Sequence, residues 1–180
     1  GMYCSGTKKA YEFYKRLRDE VKDRVKNGIG QIPNEKFRLL WYGIPTWYNM
    51  GIFNYFEKLG GVFVYEPAYN PLPWPPRRPE DPIRELALRT LMGGTSIGSV
   101  LAGLKHDVVE YNISGIVVSY LITCRPVYLP ALEIKNVIEK QMGIPTVFIE
   151  GDLVDERLFS EGQAFTRLDA FAEQLLRKVA

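Results

Sequence analysis

Apolar and polar positions recur along this chain in two periods, and the switches between them mark out its elements. Over residues 7–27, Tyr11, Tyr14, Leu17, Val21 and Val25 return at three- and four-residue spacing among charges, which predicts an amphipathic helix. Asn27-Gly28-Ile29-Gly30 ends it, and Pro33 keeps it from resuming. Residues 37–42 read as the first strand, with Gly43-Ile44-Pro45-Thr46-Trp47 as its carboxyl-end loop and a predicted helix over 48–59 closed by Gly60-Gly61. A second strand follows over 62–65. Glu80-Asp81-Pro82 opens a helix reaching about residue 91, and a further helix is predicted over 97–111. Residues 115–122 form a third apolar strand, followed by a helix over 130–142. The run 144–149, rich in β-branched and aromatic residues, predicts a fourth strand buried on both faces. The last helix, 160–179, carries Phe165, Leu168, Phe171, Leu175 and Val179 on one stripe, which makes them core.

Strands alternating with helices predict an α/β class: a doubly wound parallel sheet of about four strands with flanking helices and right-handed crossovers, plus an N-terminal linker helix. Residues 1–34 are read as that linker, leading to an upstream domain, and residues 35–180 as a Rossmann- or flavodoxin-like α/β domain. Two segments interrupt the pattern. Six prolines between Pro67 and Pro79 remove backbone donors and exclude regular structure, so this loop, with Tyr69 and Trp74, is either a lid or binding edge or a surface wrap packing its own aromatics. Gly93-Gly94-Thr95-Ser96 could cradle a phosphate or form a tight helix junction, but it matches no Gly-Lys-Ser/Thr motif.

Composition narrows the function classes. With 46% apolar residues, 24% charged residues and a net charge of +2, the chain is ordinary globular protein without the basic footprint of a nucleic-acid binder. Lys8, Lys9, Lys15, Arg16 and Arg18 are interleaved with acids on a solvated helix face. No apolar run reaches the ~18 residues of a transmembrane helix, so neither nucleic acid nor membrane is expected as a partner. Cys4 and Cys124 match no zinc or redox spacing, which fits a reducing, cytoplasmic setting. Met2-Tyr3-Cys4 leads straight into a charged helix, with no signal peptide, and Gly1 resembles the residue left by a cleaved tag.

The candidate chemistry gathers at two strand ends, where open α/β sheets bind ligands. Thr123-Cys124-Arg125-Pro126 stands at the end of the third strand; Glu150, Asp152, Asp155, Glu156 and Arg157 crowd the end of the fourth. Both sets are expected to face a common crevice. Read alone, Cys124 is a small buried hydrophobe or a reactive thiol. Pro126 is expected to delay the start of the next helix. Arg125 either stabilises negative charge at the thiol or pairs with Glu150 or Asp152. Glu150, Asp152, Asp155 and Arg157 read first as a hydrogen-bonded scaffold and second as acid–base groups. His106, the only histidine, lies among Lys105, Asp107 and Glu110 on a polar face and reads as solvated.

The SYxxxCRP segment at Ser119–Pro126 and the long GIPTxxxEGDxxDxRxFSExQxxTRxxAFxExL segment starting at Gly143 together resemble the C-terminal domain of the 2-hydroxyacyl-CoA dehydratase / benzoyl-CoA reductase family, in its D-component type subunits. The stretch GIGQIPNEKFRLLWYGIPTWYNMGIFNYFEKLGGVFVYE is similar to that family too, so the resemblance covers residues 14–178. It implies a subunit longer than this chain, with a further domain upstream. It also implies a [4Fe-4S] cluster in the intact enzyme, for which Cys124 is the one thiolate matched here, while Cys4 matches no ligand. A cluster is ordinarily held by about four thiolates, so this chain alone is expected to hold none and to show no turnover. The implied chemistry is radical, one-electron and anaerobic: an ATP-dependent activator protein supplies a low-potential electron that reduces the carbonyl of a CoA thioester to a ketyl. The outcome is loss of the 2-hydroxyl group in a dehydratase, a lyase, or ring reduction in an aryl-CoA reductase. The implied partners are the upstream domain, a second subunit, the activator and the thioester. Gly43, Ile44, Pro45, Trp47, Tyr69 and Trp74 are candidate pocket walls. The alternative is a non-catalytic α/β binding or subunit-assembly module, and a nucleotide-binding domain is disfavoured because no glycine fingerprint follows the first strand.

Overall fold

The structure, a computed structural model, describes residues 6–67, 80–92 and 97–179. They fall into two compact units, Gly1–Glu35 and Lys36–Ala180. The first contains α1 (Lys8–Lys26), started by Thr7, whose hydroxyl accepts from the Ala10 N–H at 3.2 Å. Arg24 reaches back to Glu20 at 2.8 Å, an i,i+4 pair on an exposed surface. None of its residues is buried, and Tyr11, Tyr14, Leu17, Val21 and Val25 are all exposed. The helix therefore rests on its cap and its charge pairs rather than on burial.

The second unit is built on four parallel strands, β1 (Phe37–Tyr42), β2 (Gly61–Tyr65), β3 (Gly115–Leu121) and β4 (Thr146–Gly151), in the order β2-β1-β3-β4. Four helices accompany them: α2 (Pro82–Met92), α3 (Ile97–Glu110), α4 (Arg125–Met142) and α5 (Glu161–Val179). The expected doubly wound sheet is thus present. A parallel sheet needs cover on both faces, and strand alternation supplies an apolar set to each. Leu39, Trp41, Val117 and Ile149 pack under Ala164, Leu168, Phe171, Ala172 and Leu175 of α5. Leu40, Ile116 and Val118 pack under Leu104 and Val108 of α3 and Ala131, Ile134 and Ile138 of α4. The chain passes from β2 back across β1 to β3, so the sheet reverses direction between β1 and β3, the place where such sheets open a crevice at their carboxyl ends.

Three expectations are corrected. The helix predicted over 48–59 is instead two short 3-10 turns, Met50–Asn54 and Glu57–Leu59. Gly51, Asn49 and Asn54 and the run of aromatic residues are poor helix formers, and packing Ile52 and Phe56 beneath the sheet decides their conformation. Pro126 does not delay α4, which begins at Arg125 and continues through Pro130 to Met142. Proline's missing N–H is harmless in a first turn, whereas at Pro130 the helix gives up one backbone hydrogen bond. Finally, β4 runs to Gly151 and is an edge strand, with Glu150 exposed rather than buried on both faces. Tyr69, Trp74, the glycine run 93–96 and Cys4 lie outside the described residues.

Candidate site at the carboxyl ends of the strands

Gly43 ends β1 in the left-handed region, φ 101°, which a side-chain-bearing residue adopts only with strain. That turn throws Ile44, Pro45 and Thr46 back across the sheet. Pro45 and Thr46 are buried, Ile44 is half-buried, and Trp47 is left 52% exposed. The loop reaches β4: a β-carbon at Gly151 would lie 3.2 Å from Thr46 Cγ2 and 3.5 Å from both the Tyr48 hydroxyl oxygen and Phe159 Cδ2. Burial pushes the Tyr48 phenol up, opposed by the Asp152 backbone N–H and reinforced by the charges of Asp152, Asp155 and Glu156. Thr46 Oγ1 and Ser119 Oγ are buried and have no hydrogen-bond partner among the described residues.

The second loop leaves β3 through Ile122 and Thr123 to Cys124, the residue preceding α4, whose N–H donates to the Leu121 carbonyl at 3.0 Å. Cys124 is half-buried and free. Its neighbour Thr123 donates its hydroxyl to Asp152 Oδ2. Asp152 Oδ1 in turn accepts from the backbone N–H groups of Val154 and Asp155, both at 2.9 Å. These donors, the Asp155 N–H foremost and then Thr123 and Val154, hold the Asp152 carboxyl down to about 2. One buried carboxylate thus ties the loop bearing the thiol to the loop leaving β4.

The other acidic residues turn elsewhere. Glu150 faces the open side of β4, where Arg167 Nη1 lies 3.3 Å from its Oε1. Asp155 caps the turn Glu156–Leu158 and takes a forked pair from Arg157, Nε at 2.8 Å and Nη2 at 2.6 Å, which lowers its carboxyl and raises the guanidinium. Arg125 is exposed, and among the described residues no ion pair joins it to Glu150 or Asp152. Of the groups expected to share a crevice, the two loops meet through Thr123 and Asp152, which lies beyond the end of β4, whereas Glu150, still within the strand, turns to Arg167. His106 stands on the exposed side of α3, 3.5 Å from Asp107. No group of three or more metal-ligating side chains occurs among the described residues.

The sequence pattern assigned no role to Thr123 or Arg167. The signal for Thr123 was its position beside Cys124, opposite an aspartate on the neighbouring strand end. For Arg167 it was a cation nearly two turns into the helix that follows β4.

The profile of the family described as 2-hydroxyglutaryl-CoA dehydratase, D-component, matches residues 1–175. The chain belongs to that family. Among curated relatives it is similar to a benzoyl-CoA reductase subunit from Thauera aromatica, 28% identical over 194 residues that cover 96% of this chain and 43% of the relative. It is also similar to the (R)-2-hydroxyglutaryl-CoA dehydratase alpha subunit of Acidaminococcus fermentans, 29% identical with 94% and 36% covered. A third relative is the (R)-phenyllactyl-CoA dehydratase alpha subunit of Clostridium sporogenes, 28% identical with 96% and 42% covered. The chain spans less than half the length of these relatives. The D-component match includes Cys124, Thr123 and Asp152 together with all four strands. No helix among the described residues of this family member is long and apolar enough to cross a membrane.

The Asp152 tie has a pH signature. Its folded-state value lies below the ordinary 3.8, so the ionised carboxylate supports the fold at every pH above about 4 and loses that support as pH falls through about 2. Urea midpoints measured between pH 5 and pH 2 are expected to fall more steeply for the wild type than for Asp152→Asn, which has no proton to gain there. Parallel curves would show that the tie contributes nothing.

Proposed function

We propose that the whole protein is a subunit of a 2-hydroxyacyl-CoA dehydratase or benzoyl-CoA reductase-type enzyme, and that Cys124 is one thiolate ligand of its [4Fe-4S] cluster. The observation that carries this is the position of Cys124: half-buried, at the carboxyl end of the central strand β3, directly before an 18-residue helix. The N-terminal N–H groups of such a helix favour negative charge nearby, which suits a thiolate-bound cluster. The donor set fits a shared site rather than a complete one. A cluster takes about four thiolates and this sequence has two cysteines, so the other ligands come from elsewhere in the enzyme.

When bound, the cluster supplies single electrons to the carbonyl of the CoA thioester. The chain's own residues position and enclose. Thr123 and Asp152 hold the loop on which Cys124 stands, and Arg125 places a positive charge beside it. Gly43, Ile44, Pro45 and Trp47 form a wall at the neighbouring strand end, where the exposed Trp47 ring offers an apolar surface and Thr46 and Ser119 offer hydroxyl groups. Tyr69 and Trp74 of the proline loop are assigned to the same wall from sequence alone. The activator protein, the second subunit and the cytoplasmic, anaerobic setting belong to this proposal.

The test is anaerobic reconstitution with iron and sulfide of the chain alone and of a version extended upstream, each as wild type and Cys124→Ser. The extended protein is expected to take up about four irons with broad visible absorption that Cys124→Ser diminishes, and the short chain to take up none. Iron binding unaffected by Cys124→Ser, or absent from both lengths, would replace this reading with that of a non-catalytic assembly module.

A further inference from the structure

Among the described residues no strand lies beside the outer edge of β4, and its backbone groups can be assigned one by one. Ile116 N–H donates to the Pro145 carbonyl at 3.0 Å and Ile122 N–H to the Gly151 carbonyl at 3.4 Å, with Ile116, Val118 and Tyr120 opposite Thr146, Phe148 and Glu150. Parallel geometry then aims the backbone groups of Val147, Ile149 and Gly151 at β3, and those of Thr146, Phe148 and Glu150 at the open side. Two of the outward groups are covered by side chains. Glu139 Oε1 accepts from the Thr146 N–H at 2.9 Å, and Arg167 Nη1 donates to the Phe148 carbonyl at 3.3 Å. The Thr146 carbonyl, the Phe148 N–H and both backbone groups of Glu150 have no partner among the described residues.

We propose that this edge is an interface through which two copies of the chain pair antiparallel, joining two four-stranded sheets into one of eight. The uncovered groups are self-complementary. About a two-fold axis, Phe148 of one copy lies opposite the partner's Glu150, and Glu150 opposite the partner's Phe148, each pair exchanging N–H···O bonds in both directions. That ladder uses the free groups of Phe148 and Glu150, leaves the Glu139 cap in place and shares only the Phe148 carbonyl with Arg167. Charge agrees with the register. The Lys135 ammonium stands 5.5 Å from the centre of the Phe148 ring, so the partner's Glu150 arrives beside Lys135, twice per dimer. Leu132 of α4, 59% exposed, lines the same groove and gains cover. An edge left this open is a ready template for another strand.

The experiment measures the mass of this chain by sedimentation equilibrium across a wide concentration range, with amide exchange at Phe148 and Glu150. A concentration-dependent dimer is expected, in which both amides slow as dimer forms. Glu150→Pro deletes an outward N–H while leaving every bond to β3, a substitution edge strands tolerate. It removes two equivalent hydrogen bonds per dimer and is expected to weaken association about a hundredfold. Glu150→Lys is expected to weaken it about tenfold, and Lys135→Glu with Glu150→Lys to restore it, a rescue that general destabilisation would not give. A chain monomeric at every concentration, or a dimer indifferent to Glu150→Pro and to the charge exchange, overturns the proposal. So does protection of the two amides only in a version extended upstream, which would assign the edge to another segment of the longer subunit.

Discussion

Replacing Trp41 with alanine is expected to destabilise the fold by about 3–5 kcal/mol, the range for deleting a fully buried aromatic side chain. Trp41 is 0% exposed at the middle of the sheet. Its ring lies 4.7 Å from Phe53 and 5.7 Å from Phe63, so it joins β1 to β2 and to the 3-10 turn below. The hole left by alanine would be walled by side chains of three elements, none of which can move into it without leaving another neighbour. Trp41→Phe keeps most of the volume and is expected to cost much less. Trp47→Ala, at a half-exposed position six residues on, is expected to stay within about 0.5 kcal/mol of wild type. Urea midpoints at constant slope read all three. Equal losses for Trp41→Ala and Trp47→Ala would remove Trp41 from its central place.

Gly61→Ala gives the second large effect, from too much volume. A β-carbon there would lie 2.1 Å from Phe37 Cε2, 2.5 Å from Phe37 Cζ and 2.8 Å from Phe56 Cβ. Both aromatic residues are among the most buried in the chain and pack edge-to-face at 6.1 Å, so neither ring can swing aside. Overpacking of this kind costs about 1–3 kcal/mol, here expected at the upper end because the obstruction includes the stem of Phe56. Glycine at this position is required for close approach and not for turning, since its neighbour Gly60 makes the turn, with φ 89°. Gly60→Asn, which tolerates that conformation, should therefore be milder than Gly61→Ala in the same urea titration.

Sequence pattern located all four strands to within two or three residues because each is a short apolar run closed by glycine or by charge, and each sends apolar side chains to the clusters on the two faces of the sheet. It mistook residues 48–59 for a helix. Ile52 and Phe56 have helical spacing, yet the residues between them have little intrinsic preference for the helix, and contact with the sheet settles the matter. Context also outweighs local sequence in the tetrapeptide Gly-Ile-Pro-Thr, which occurs twice. At Gly43 it closes a strand, and at Gly143 it caps α4 and leads into one, although both glycines have positive φ. At the candidate site, the thiol and the acidic residues were legible as residue types at strand ends. Which carboxylate turns inward was not, because Glu150 and Asp152 are separated by a single residue and differ in where β4 stops.

The hold of Asp152 on its loop has an evolutionary consequence. It grips Val154 and Asp155 through their backbone amides, and the Val154 side chain, 84% exposed, takes no part. The joint between the two strand ends is therefore blind to the identity of the residue at that position. Substitutions there can accumulate and reshape the rim, while the anchor beneath keeps its geometry.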